Sequence, residues 1–231
     1  MLKDRSHDIL EAAMRDFLRT GFPITSERLF ERFDFGIKPA MIRWELQDLA
    51  DSGYFYQTRP SGGRLPTNKA YRFFVDELLD EEPGTDADTR ALARELEHGR
   101  MKRFIEDVAS YLSVFGVGYD AGEDEVYESG LRRLLDHLPV EDKEGLLDVV
   151  RDIELLPERL ARFRESARMG DAWPRVFIGE SPVTKSEHLS VIAGEFGSGD
   201  ERFLLMAIGP KRMDYRKSLN LFRELRASFE E

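Results

Sequence analysis

The sequence predicts an α+β protein in two parts, on three observations. Residues 4–79 carry apolar side chains at helical spacing, cut by glycines and prolines into short segments. An acidic stretch, "DEEPGTDADTR" at 80–90, then interrupts the chain with Pro and Gly. Late in the chain the apolar period changes: "RVFIGE", "HLSVIAGEF" and "RFLLMAIG" read as short strands separated by turns such as "GSGDE". The expected division is residues 1–80, an acidic linker over 81–90, and an α+β part over 91–231 with a small antiparallel sheet.

The first part takes its elements in order. Residues 4–19 place Ile9, Leu10, Ala13, Met14, Phe17 and Leu18 on one helical side, with Gly21 as a stop. Thr25 or Ser26 can cap a short second helix that buries Leu29, Phe30 and Phe33. Pro39 suits the first turn of a third helix, with Ile42, Leu46, Leu49 and Ala50 inward and Gly53 as its end. "YFYQTR" is strand-forming, "PSGG" is a turn, and "RLP" returns. Thr67 can cap a fourth helix that buries Tyr71, Phe74, Val75, Leu78 and Leu79. Helix, helix, helix, strand, turn, strand, helix is the order of a winged helix-turn-helix, with the third helix as recognition helix and the hairpin as wing.

In the second part, residues 91–115 read as one long amphipathic helix with Leu92, Leu96, Phe104, Ile105, Val108 and Leu112 along one side. Two or three helices are expected over 126–168, with Leu131, Leu134, Leu135, Leu146, Leu147, Val150, Leu155, Leu156 and Leu160 as core. A last helix runs from about Met213 to the end. "GVGYDAG" reads as a glycine cluster in a loop.

Composition narrows the function. At 41% hydrophobic and 11% aromatic, the 231 residues can fill a packed core. No apolar run approaches the roughly 20 residues of a membrane span. "MLKDRSHDIL" is charged from residue 3, unlike a signal peptide. With no cysteine, thiolate metal sites and thiol catalysis are excluded and a cytoplasmic location is compatible. His7, His98, His137 and His188 are scattered, and no Walker loop, nucleophile elbow or metal-ligand spacing occurs. No enzyme activity, cofactor or metal is expected.

Charge is uneven. The chain carries a formal net charge of -11, yet residues 38–72 hold six basic residues (Lys38, Arg43, Arg59, Arg64, Lys69, Arg72) against three acidic ones (Glu45, Asp48, Asp51). A local positive segment can attract a polyanion while the rest of the molecule repels one. Arg43, next to the core position Ile42, should point outward and suits guanine in a major groove; Gln47, one turn on, suits adenine. Trp44 either packs as core or lies at the DNA face, and partial burial is expected. Arg64 is expected at the wing tip, where "SGGR" (Ser61, Gly63, Arg64) gives a close-approaching backbone suited to a minor groove or phosphates. Arg59, Lys69 and Arg72 suit phosphates, one of them pairing instead with Asp76 or Asp48. Thr67, at a helix start, adds a phosphate site.

Three passages resemble the bacterial heat-inducible transcription repressor family HrcA: "GIKPAMIRWELQDLADSGYF", "SGGRLPTNKAYRFFVDELL" and "IGPKRMDYRKSL" at 208–219, with "VFIGE" at 176–180 fitting as well. The resemblance implies a winged helix followed by a reduced GAF-like domain, the chain being shorter than full-length members and lacking much of their inserted dimerisation region. It implies a repressor of chaperone genes that binds an inverted-repeat operator in double-stranded DNA as a homodimer, is relieved by heat and is kept active by the GroE chaperonin. The family's usual Ser, Thr and Asn in the recognition segment are here Lys38, Met41 and Trp44, and a wing Gly is Ala70. These put the family's usual operator in question. The helix expected over 91–115, through Leu96, Ile105 and Leu112, is the candidate replacement interface. A small-ligand sensor and a winged-helix interaction module without DNA binding stand as alternatives.

Overall fold

The computed structural model describes residues 4–57, 59, 62–82, 84, 87–97, 100–138, 143–166, 173–197 and 202–230. They fall into two units, Met1–Asp80 and Glu81–Glu231.

In the first unit the three-and-four spacing of apolar residues produces α1 (Asp4–Thr20), α2 (Ser26–Arg32) and α3 (Pro39–Asp51). Ile9, Leu10 and Met14 of α1 are buried with Ile42, Leu46 and Leu49 of α3. Two short strands, β1 (Phe55–Tyr56) and β2 (Leu65–Pro66), pair antiparallel, with Phe55 opposite Pro66. An isolated bridge joins Ile24 to Arg64 and ties the hairpin to the α1–α2 connection. The helix α4 (Asn68–Asp80) closes the unit, burying Tyr71, Phe74, Val75 and Leu78. Asp16 on α1 pins α2 by accepting from Arg28 Nε at 2.5 Å and Arg32 at 2.8 Å. Phe30, expected in the core, is exposed: α2 has only two turns and turns Leu29 inward instead.

The second unit is built on a five-stranded antiparallel sheet: β3 (Phe115–Asp120), β4 (Glu125–Ser129), β5 (Arg175–Ile178), β6 (Leu189–Phe196) and β7 (Phe203–Pro210), in the order β4-β3-β7-β6-β5. Its helices are α5 (Ala87–Glu97), α6 (Met101–Leu112), α7 (Leu131–His137), α8 (Lys143–Glu154), α9 (Leu156–Ser166) and α10 (Tyr215–Glu230). Alternate strand residues face opposite sides. Val117, Tyr119, Val191, Leu204 and Met206 form one core with Leu134, Val149, Leu156, Leu160 and Phe163. On the other face α6 and α10 pack against β3 and β6. There the absent side chains of Gly116 and Gly118 admit Ile105: a Cβ on Gly118 would stand 2.7 Å from Ile105 Cδ1. Asp214 starts α10, its Oδ1 accepting from the Lys217 amide at 3.0 Å, and the buried Tyr215 hydroxyl bonds Ser190 at 2.8 Å.

The structure departs from several expectations. The expected helix over 91–115 is two helices, and Arg100, the N-cap of α6, stands outside helical geometry at φ -90° and ψ 58°. Residues 87–90, expected in the linker, are the first turn of α5. "GVGYDAG" belongs to the interior strand β3 and the turn after it, because Gly116 and Gly118 serve helix packing rather than a loop. Ile105 and Leu112 are buried within their own unit and present no interface; the side chain of Leu96 lies outside the described residues. Leu131, Leu146, Leu147, Val150 and Leu155, expected in the core, are exposed.

Candidate nucleic-acid interface

With Ile42, Leu46 and Leu49 turned inward, helical geometry leaves Ala40, Met41, Arg43, Trp44, Gln47 and Asp51 outward, and all are exposed. Local chemistry sets the helix in place. Thr25 caps α2, its hydroxyl accepting from the Arg28 amide at 3.2 Å. Gly36 takes φ +65° in the turn, its amide held by Asp34 at 2.9 Å. Pro39 opens α3, with the exposed Lys38 as an N-cap that makes no side-chain cap bond. Between α3 and the hairpin lies an open concavity of about 720 Å³, lined in part by Glu27, Arg43, Trp44, Gln47, Gly63 and Arg64.

Arg64 is not at a hairpin tip. It is 8% exposed, and its backbone exchanges two 2.8 Å hydrogen bonds with Ile24. Its guanidinium donates to Gln47 Oε1 at 2.9 Å, while its buried Nε finds no partner among the described residues. Burial pushes this guanidinium's pKa down, and the nearby Arg43 adds to that while Asp51 opposes it. Gln47 in turn donates to Asp51 Oδ1 at 2.8 Å. The chain Arg64–Gln47–Asp51 therefore fixes which end of the Gln47 amide faces which way. Gly63 is required by the same approach: a Cβ there would lie 2.6 Å from Pro23 Cβ and 2.9 Å from the Ile24 carbonyl.

Arg43 points outward as its place beside Ile42 requires, and it pairs with Glu27 at 3.0 Å. The Glu27 backbone amide, reinforced by Ser26 and Arg43, holds the Glu27 carboxyl below its ordinary pKa. Trp44 is 69% exposed, not partly buried, because its place on α3 faces away from α1. Met41 stands exposed beside it.

The remaining cations divide. Arg59 and Arg72 are exposed. Arg72 offsets part of the burial that raises the pKa of Asp76. Lys69 is engaged structurally, donating to the Ser52 carbonyl at 2.7 Å over the Tyr54 ring at 4.3 Å. The Thr67 hydroxyl does not cap α4; it donates to the carbonyls of Gly53 and Tyr54, locking the α3 end to the hairpin. Ser61 lies outside the described residues. Sequence reasoning missed Glu27 and Asp51, whose partners are set by how α2, α3 and the hairpin meet.

Chemically, the concavity offers a guanidinium, an amide and an indole on a rigid helix, which suits hydrogen bonding to a polar edge and stacking or methyl contact. Among the described residues no group of three His, Cys, Asp or Glu could hold a metal, and no described helix is long and apolar enough to cross a membrane.

The family model for the HrcA protein C terminal domain matches residues 68–219, about two thirds of the chain. The "Heat-inducible transcription repressor HrcA" of Frankia casuarinae is 40% identical over 97 residues, 42% of this chain and 29% of that protein. The protein of the same description from Streptomyces avermitilis is 39% identical over 92 residues, 40% of this chain and 27% of its own length. The match thus spans under a third of these relatives. A crystal structure of a hypothetical protein at 2.2 Å resolution shares the fold, with a TM-score of 0.76 at 18% identity over 100% of this chain and 98% of that one.

Proposed function

Because the chain belongs to the HrcA family, we propose that it is a sequence-specific DNA-binding transcription regulator, a repressor of heat-shock genes. Residues 1–80 act as a winged helix-turn-helix, α3 entering the major groove and the β1–β2 hairpin flanking it. Residues 91–231 act as a reduced GAF-like regulatory domain. The observation that carries the reading is the outward row on α3: Arg43, Trp44 and Gln47 stand together along the concavity bounded by the hairpin.

The geometry supports the following roles. Arg43 exchanges Glu27 for the two acceptors of a guanine edge. Gln47 enters with its amide already oriented by Arg64 and Asp51, so little side-chain freedom is lost on binding. Met41 and Trp44 supply apolar surface for thymine methyl groups, which changes the preferred operator relative to members with Thr and Asn there. Lys38, Arg59 and Arg72 contact phosphates. An inverted-repeat operator then pairs two copies about a two-fold axis.

The ligand-sensor alternative gains no support from the crevice lined by Tyr119, Phe163, Arg164 and Leu204, whose volume of about 10 Å³ suits no more than a water. The test is a fluorescence-anisotropy titration of the full chain against DNA from upstream of its own gene and a scrambled duplex. The expected result is tighter binding to the upstream duplex, weakened at least about tenfold by Arg43→Ala. Equal affinity for both duplexes, or no binding at low salt by folded protein, overturns the reading.

A further inference from the structure

Among the described residues, the outward face of α8 is left exposed. Its inward side buries Gly145, Val149 and Asp152. Asp152 anchors the helix firmly: it accepts from Arg159 at 2.5 Å and from the backbone amides of Lys185 and Ser186 at 2.8 and 2.7 Å. The opposite side of α8 carries Lys143, Leu147, Val150 and Glu154, spaced four, three and four residues apart. That is the spacing of a seam between two packed helices. All four are exposed, Leu147 at 52%, and the exposed Leu146 widens the apolar strip. Lys143 and Glu154 form no ion pair with another described residue.

We propose that two copies of this chain associate through an isologous, antiparallel pairing of α8. The pattern is complementary to itself only in that direction. A two-fold axis midway between residues 148 and 149 sets Leu147 of each copy against Val150 of the other. The same axis sets each Lys143 against Glu154 of the other copy, closing both ends of the seam with an ion pair. Leu146 then meets the aliphatic stem of Arg151. A parallel pairing would instead place Lys143 against Lys143 and Glu154 against Glu154, and the helix dipoles would repel. The charges select the orientation and the apolar pair supplies the contact.

The helix is about 18 Å long, so the seam is small and belongs with interfaces below about 1,200 Å², which dissociate on dilution. The pairing supplies an interface for the two-fold dimer proposed above. Its test involves no DNA, so either proposal can fail without the other.

The experiment is sedimentation equilibrium of the full chain over a range of concentrations, with circular-dichroism melting to verify folding. Wild type is expected to show a concentration-dependent dimer. Lys143→Glu and Glu154→Lys, each acting at both ends of the seam, should raise its dissociation constant at least about tenfold. The double variant K143E/E154K should return close to wild type, because the reversed charges again pair. Leu147→Glu should be monomeric with an unchanged melting temperature, its side chain being exposed. A monomeric wild type overturns the proposal. So does a dimer indifferent to the single reversals, or a double variant that fails to restore association.

Discussion

Arg64 stands at the point where residue identity and residue role part company. A lone cation after a glycine pair suits a tip that enters a groove, yet it is folded under, donating to Gln47. Its influence on DNA is expected to pass through that amide. In anisotropy titrations Arg64→Ala and Gln47→Ala should therefore be non-additive, with a coupling of about 1 kcal/mol; independent effects would detach Arg64 from recognition. Asp16 is the second such residue. Burial alone would raise its pKa, but the hydrogen bond and charge of Arg28, with Arg32 and Arg19, outweigh burial and hold it below 3.8. A depressed folded-state pKa stabilises the unit above the unfolded value, and that contribution is lost as pH falls through the folded one. Acid titration followed by circular dichroism should show this loss below about pH 4, and Asp16→Asn should flatten it while costing about 3 kcal/mol at neutral pH. Neither role is visible in a single sequence, since the partners of Asp16 lie 12 and 16 residues away on another helix.

At the scale of elements, strong periodicity was legible and glycine-rich strands were not. The helices α1, α3 and α4 each carry a full inward stripe, and the structure places them where that stripe predicts. The strand β3 hid because Gly116 and Gly118 replace the apolar residues that would mark its α6 side. Their absence of side chains is what the packing needs, so Gly118→Ala should destabilise the second unit by about 1–3 kcal/mol through collision with Ile105 and Phe203. Chemical denaturation would measure it, and an unchanged midpoint would mean that α6 can shift freely. The edge strand β4 hid for another reason: its sequence "EVYES" has no apolar–polar alternation, and Glu125, Val126 and Glu128 are exposed. α8 illustrates the converse error. Its leucines and valine look like core by composition, but one helix face can meet the sheet, and Val149 occupies it.

For the whole molecule, the balance of charge sets how it would meet DNA. Residues 1–80 hold 12 basic and 13 acidic residues, while the remaining 22 basic against 32 acidic residues carry a net of -10. An acidic second unit lowers non-specific affinity for a polyanion, leaving a few exposed cations near α3 and the hairpin to attract one. Binding should still weaken steeply with salt: with Lys38, Arg43, Arg59 and Arg72 on phosphates or bases, log K against log salt should have a slope of about -3 per protomer. A flat response in salt-titrated anisotropy would remove these residues from the interface.

The α+β class, the helices of the first unit and the resemblance to the family were legible in the residues alone. Each of these rests on local spacing or on contiguous residues. Packing between distant elements set which candidate residues face outward. It buried Arg64, exposed Trp44, turned Ile105 and Leu112 inward and left the far side of α8 open. Which face a helix buries depends on what packs against it, and that partner is distant in the chain.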